Sequence, residues 1–355
     1  MSDQNSNQVI QARYTLDTPA VYRFVDHLKA NAAVFAPHKK GENSYSYQAV
    51  NSAEDVVLDY PRTIQPLKKF FLPPKETLLE FQLSHNSYVE AADEVEYRIY
   101  FGIHSYEMQG LKRLDYSFSS GQSESNYFRR RKNCSFIGIS YTPDKFHFGP
   151  AVGIETDELD GFCLYLKKND ENYDLLVLND EGRSLLQGFD IKPETGRETE
   201  YPKIETKAKI KVHHNRISQI FEYVYNSDVW QDVAERCVGC GTCNLLCSTC
   251  YCFDVRDEIE LDADSGKRER FWDSCMLNPF AEVAGGEDFR DKLSSRTRHR
   301  LYRKFKYITD KSTQIHCIGC GRCSKFCPAD INIVKIINAL IDDYNKTQQP
   351  KMYQA

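Results

Sequence analysis

The chain has no apolar run long enough to cross a bilayer. Its longest, around Ile331–Ile341, is interrupted by Asn332, Lys335 and Asn338, whereas a spanning helix needs about 20 predominantly apolar residues. Met1-Ser2-Asp3-Gln4-Asn5 does not open a basic and then apolar secretory leader, so a cytoplasmic protein is expected. Excess charge of either sign is small. A net charge of −5 on 355 residues gives no global basic field for nucleic acid or an anionic membrane. A dinucleotide fingerprint is missing as well: Gly149-Pro150-Ala151-Val152-Gly153 is a poor match and lacks the strand–glycine–helix setting. No acid–base pair stands out, and no two cysteines are adjacent.

What is present is a composition suited to a packed core, 41% hydrophobic and 12% aromatic. Residues 1–12 are polar and read as a disordered tail. Thr18 to about Ala33 has helical periodicity, with Val21, Phe24, Val25 and Leu28 on one face. Strand-like runs follow at 33–36, 56–58, 78–83, 96–103, 134–140, 162–167 and 173–178, with helices over 105–118 and up to Arg129–Asn133. Strands mixed with helices predict an α/β domain over 13–208. Residues 190–208, rich in Lys, Glu, Thr and Pro, read as a surface connection. A helix over 214–235 leads onward, with Ile217, Ile220, Phe221 and Val224 on one face.

Cysteine is the informative residue. Of 13, 11 fall between Cys237 and Cys327. In a long chain without a secretory leader, such clustering points to metal, not disulfides. The first motif is Cys237-x2-Cys240-x2-Cys243-x3-Cys247. The second is Cys317-x2-Cys320-x2-Cys323-x3-Cys327, followed by Pro328. Three closely spaced thiolates suit three irons of one cube, and in two-cluster ferredoxins the fourth cysteine serves the other cube. On that pattern one [4Fe-4S] cluster takes Cys237, Cys240, Cys243 and Cys327, and the other Cys317, Cys320, Cys323 and Cys247. Gly241 and Gly321 let the backbone turn tightly beside each cluster. Zinc ribbons use separate Cys-x2-Cys pairs, so two four-cysteine runs argue against zinc. The fold class expected is therefore α+β, with a mainly helical, ferredoxin-like dicluster module over 209–355.

Ser248 stands where ferredoxins usually have proline, and residues 248–316 separate the motifs. That insert holds Cys250, Cys252 and Cys275. It also holds an expected hairpin, Glu258–Leu261 and Arg268–Trp272, turning at 262–266. Two readings stay open for the three extra thiols: a third cluster with one further ligand, or free thiols packed beside the cubes. Cys134 and Cys163 lie in expected strands and read as buried residues, with either still a candidate for that further ligand. Residues 290–311 carry nine Lys or Arg against two acids. They form a solvated face, a docking patch, or cations that raise a cluster's potential.

Trp272-Asp273-Ser274-Cys275, Ala284-Gly285-Gly286, Phe289-Arg290, Arg296–Lys304, Cys317-Ile318-Gly319-Cys320-Gly321-Arg322-Cys323 and Cys247–Cys252 together resemble one family. It comprises the iron–sulfur subunits of anaerobic sulfite reductases and the beta subunits of cytoplasmic [NiFe] sulfhydrogenases. The likeness is strong over 237–330 and continues upstream through Val34–Pro37, Phe71–Glu76 and Arg113–Asp115. It implies an electron-transfer subunit of a hetero-oligomer, without a substrate site, between a flavin subunit holding FAD and handling NAD(P)H and a catalytic subunit. It also implies that the N-terminal domain builds subunit contacts. Relatives carry a Cys-Asp pair where this chain has His104-Ser105, and cysteines where it has Tyr141–Phe148. The competing reading is a catalytic disulfide or sulfur reductase using the extra thiols.

Overall fold

The computed structural model describes residues 10–91, 95–192 and 204–348. Residues 1–9 of the expected tail and 193–203 of the expected connection lie outside that range. The described strands are β1 (Ala12–Leu16), β2 (Ala33–Gly41), β3 (Ser44–Ala49), β4 (Lys75–Gln82), β5 (Ser87–Glu90), β6 (Arg98–Ile103), β7 (Cys134–Ile139), β8 (Leu164–Asn169), β9 (Asn172–Val177), β10 (Phe253–Ile259) and β11 (Ser265–Trp272).

Seven of them form a mixed sheet in the order β1-β9-β8-β7-β6-β2-β3. Its centre, β8-β7-β6-β2, is parallel, and antiparallel strands close both edges. The parallel strands read as continuous apolar runs because helices cover them. Helix Thr18–Lys29 starts where Asp17 accepts a hydrogen bond from the Ala20 backbone at 2.7 Å, with Pro19 in the first turn. Val21, Phe24, Val25 and Leu28 are buried, as the periodicity predicts. Helix Ser105–Ser119 follows β6 directly and is buried along most of its length.

The structure differs from several sequence expectations. Val56–Leu58 is not a strand; Val56 makes only an isolated bridge to His38. Ala12 already belongs to β1, outside any tail. The helix expected over 214–235 is broken into Ile217–Phe221 and Val229–Arg236. Asn226, Ser227 and Asp228 occupy the break, and such side chains compete with the helix for backbone groups. Helices of the C-terminal module are mostly one to three turns, apart from Ile333–Gln348. It is less helical than expected, because the cysteine loops and the hairpin take up much of the chain.

The expected hairpin forms with longer strands, Phe253–Ile259 and Ser265–Trp272, and an earlier turn at 260–264, and its partner lies far away in sequence. β11 pairs with β4, giving a second sheet β10-β11-β4-β5. The inserted hairpin thus shares a sheet with a hairpin of the N-terminal region. Buried Glu76 on β4 closes the joint by accepting from Arg270 Nε at 2.6 Å and Arg130 Nη1 at 2.7 Å. A buried carboxylate needs such paired cations.

Candidate metal centre

Each cysteine motif is a loop followed by one helical turn, Thr242–Leu245 in the first and Arg322–Lys325 in the second. Gly241 and Gly321 precede those turns at φ 73° and 72°. This left-handed backbone favours glycine. A Cβ on Gly321 would lie 2.3 Å from the Phe146 carbonyl oxygen, so only glycine fits beneath that segment.

The loops bring the cysteines together across the motifs. Cys237, Cys240 and Cys243 of the first motif and Cys323 and Cys327 of the second line one cavity, with Pro328 beside Cys327. Burial pushes the Cys243 thiol up to about 11; Arg300 opposes the shift, while Cys323, Cys237 and Cys240 add to it. In the second group, burial pushes Cys317 up to about 12, Lys304 opposes, and Cys323 and Cys247 add. Cys320 is also raised by burial, with Arg322 opposing and Cys247 adding. Cys247 is thus an electrostatic neighbour of the second motif's thiols. Among the described residues, no three His, Cys, Asp or Glu side chains converge as closely as a single ion requires. The first group instead surrounds a volume. Thiols spread around a cavity, with cations beside them, suit an anionic iron–sulfur cube.

The two groups differ in depth. Cys240 is exposed, and Val238 beside it is 66% exposed. Cys317 and Cys320 are buried beneath residues 146–149, where the Phe148 amide donates to the Gly319 carbonyl at 2.8 Å.

Several buried cations face the cysteines, Lys68 among them, whose Nζ donates to the Cys250 carbonyl at 2.6 Å. Lys304 Nζ donates to Cys247 Sγ at 3.1 Å and to Thr249 Oγ1 at 2.9 Å. Arg300 Nε donates to Asn244 Oδ1 at 3.0 Å. Arg322 is fully buried and ion-paired with Glu107; it also donates to the Thr63 carbonyl at 2.8 Å and to Ser248 Oγ at 3.0 Å. The basic segment is therefore only partly a solvated face, since Arg300 and Lys304 point into the module. Sequence reasoning missed Glu107, Asn244, Thr63 and the function of Ser248. The one available signal was Ser248 itself, a hydroxyl where a ferredoxin has proline.

The three extra cysteines also meet. Cys250, Cys252 and Cys275 line a cavity of about 380 Å³ with His299, Arg300, Arg303, Lys304 and His316. Asn244 Nδ2 donates to Cys275 Sγ at 3.0 Å, and its Oδ1 accepts from Cys250 Sγ at 3.5 Å. A hydrogen bond with Cys275 draws the Cys252 thiol down to about 6 against the effect of burial. Cys134 and Cys163 lie elsewhere. Their thiols donate to the carbonyls of Arg131 and Phe136, each at 3.2 Å, within the seven-stranded sheet's surroundings. His104 and Tyr141 form a buried stack in this chain, ring centroids 4.4 Å apart. His104 bonds Tyr106 at 3.0 Å, and Tyr141 bonds His147 at 3.0 Å.

Residues 236–331 match the family model of the 4Fe-4S dicluster domain. Among curated proteins, the sulfhydrogenase 2 subunit beta of Pyrococcus furiosus is 34% identical over 322 residues, covering 89% of this chain and 94% of that one. The chain belongs to the hydrogenase beta-subunit family of iron–sulfur proteins. No solved structure matches it significantly. As a member of that family it carries a two-cluster [4Fe-4S] domain and serves electron transport. Among the described residues, no helix is long and apolar enough to cross a membrane.

Proposed function

We propose that this beta subunit relays electrons between a flavin subunit that carries FAD and exchanges electrons with NAD(P)H, and a catalytic subunit of [NiFe]-hydrogenase or sulfite/sulfur-reductase type, in a cytoplasmic hetero-oligomer. The chain itself has no substrate site in this reading. The observation that supports it is the meeting of cysteines from both motifs around one cavity, with Cys240 exposed and Cys317 and Cys320 buried. When bound, the clusters supply one-electron storage and transfer. Cys237, Cys240, Cys243 and Cys327 hold one, and Cys317, Cys320, Cys323 and Cys247 the other. Cys250, Cys252 and Cys275 hold a third. Residues 13–208 build contacts with partner subunits, and residues 209–355 form the dicluster module.

Metal analysis of the anaerobically purified complex tests this. About eight iron per chain beyond the partners' content supports two cubes, and about twelve supports three. Nickel in the sample places the chain in a hydrogenase. Cys320→Ala should remove about four iron and stop transfer through the complex; undiminished transfer would sink the assignment. A second reading, a catalytic disulfide or sulfur reductase, is favoured by the cation-lined cavity that gathers three thiols. Turnover of a disulfide by the isolated chain would establish it.

A further inference from the structure

The third cavity presents three thiols, and a cube has four irons. No fourth cysteine lines it. Among the other lining residues, Tyr251, His299 and His316 carry atoms able to ligate iron. The Tyr251 hydroxyl already accepts from Arg303 Nη2 at 2.6 Å. His299 is only half-buried and its ring lies toward Tyr307.

His316 is different. It is 2% exposed, its Nε2 bonds Ser312 Oγ at 3.1 Å, and its Nδ1 has no partner among the described residues. Its backbone is pinned on both sides. The amide donates to the Lys304 carbonyl at 2.9 Å, and the carbonyl accepts from Thr249 Oγ1 at 2.6 Å. A buried nitrogen left unpaired forfeits its hydration without return, so native proteins almost always supply a partner. Metal-binding histidines are oriented by a hydrogen bond from the ring nitrogen that does not ligate, and here Ser312 Oγ holds Nε2.

We propose that His316 Nδ1 is the fourth ligand of a third [4Fe-4S] cluster whose other ligands are Cys250, Cys252 and Cys275. The inference rests on the third-cluster reading above. Replacing a thiolate by neutral imidazole removes one negative charge from the site, and Arg300, Arg303 and Lys304 line the same cavity. Arg300 and Lys304 also face the other two thiol groups, so the ligand change is what sets this site apart, and it raises the reduction potential. The third site then lies above the two all-cysteine cubes and holds electrons as a reservoir beside them.

The test uses the intact complex, purified anaerobically with ¹⁵N-histidine or unlabelled, and read by pulsed EPR after reduction. The wild type should show a histidine-nitrogen coupling that disappears in His316→Cys, while iron stays at about twelve per chain. The corresponding midpoint potential should fall in that variant. His316→Ala should lose the cluster or yield a three-iron signal on oxidation. About twelve iron with an identical nitrogen coupling in wild type and His316→Cys would overturn the ligand assignment and leave a third cluster standing. About eight iron in the wild type would overturn the third cluster itself, and the His316 proposal with it.

Discussion

Lys304 Nζ lies 3.1 Å from Cys247 Sγ, and the same ammonium holds Thr249. Burial opposes the charge on Lys304, but Cys247 and Cys250 outweigh it and hold its pKa well above the usual lysine value. The cation therefore persists beside a thiolate that the exchange pattern assigns to the second cluster.

Lys304→Met should make that cluster harder to reduce, because a positive charge near a cluster favours the added electron. The expected drop is on the order of 60 mV, the one-electron equivalent of about 1.4 kcal/mol. A redox titration followed by EPR reads it. Lys304→Arg should recover most of the shift, and an unchanged potential in Lys304→Met would remove the electrostatic function.

Arg322 and Glu107 form an ion pair in which both side chains are 1% exposed. Arg322→Met leaves the carboxylate buried with its cation gone, which should cost about 3–5 kcal/mol. Thermal unfolding under anaerobic conditions measures this. The double variant Arg322→Met/Glu107→Gln should be more stable than Arg322→Met alone; equal stability would mean that packing, not charge, dominates.

The two motif glycines should respond unequally to substitution. Alanine at Gly321 would drive a Cβ to 2.3 Å from a backbone oxygen, whereas at Gly241 the nearest contact is the Ser274 side chain at 3.1 Å. Both substitutions carry the strain of a positive φ. Gly321→Ala should lose its cluster, about four iron per chain, while Gly241→Ala should keep iron with a modest loss of stability. Iron retention in Gly321→Ala would show that residues 146–149 yield easily.

His147 is 1% exposed. Burial, aided by Arg62 and Arg322, lowers its pKa to about 3. The unfolded chain takes up a proton near pH 6.5 that the folded chain refuses. The stabilisation is therefore complete above about pH 6.5 and is lost as pH falls from there toward about 3, at up to about 1.4 kcal/mol per pH unit. His147→Phe should flatten the change in unfolding temperature between about pH 7.5 and about pH 5.5. His104, also lowered well below the usual value by burial, keeps part of the slope. An unaltered slope would show that His147 is not neutral in the fold.

The sequence by itself determined the cluster chemistry, because cube ligation is local: three thiols within seven residues, a glycine to turn, and a second copy of the motif. It also determined helix Thr18–Lys29 and strands β6 and β7, where apolar periodicity is unbroken. Short β3, half-exposed, and β5, exposed at every residue, escaped notice because they carry little hydrophobic signal. Tertiary structure alone decided the rest. It placed β11 against β4, across nearly 200 residues of chain. It turned Arg300 and Lys304 inward, although their segment looks like a solvated basic face. It gathered Cys250, Cys252, Cys275 and His316 around one cavity, and it set Cys240 at the surface and Cys320 beneath residues 146–149. Each of these depends on contacts between distant segments, and neither spacing nor composition encodes which distant segment a side chain will meet.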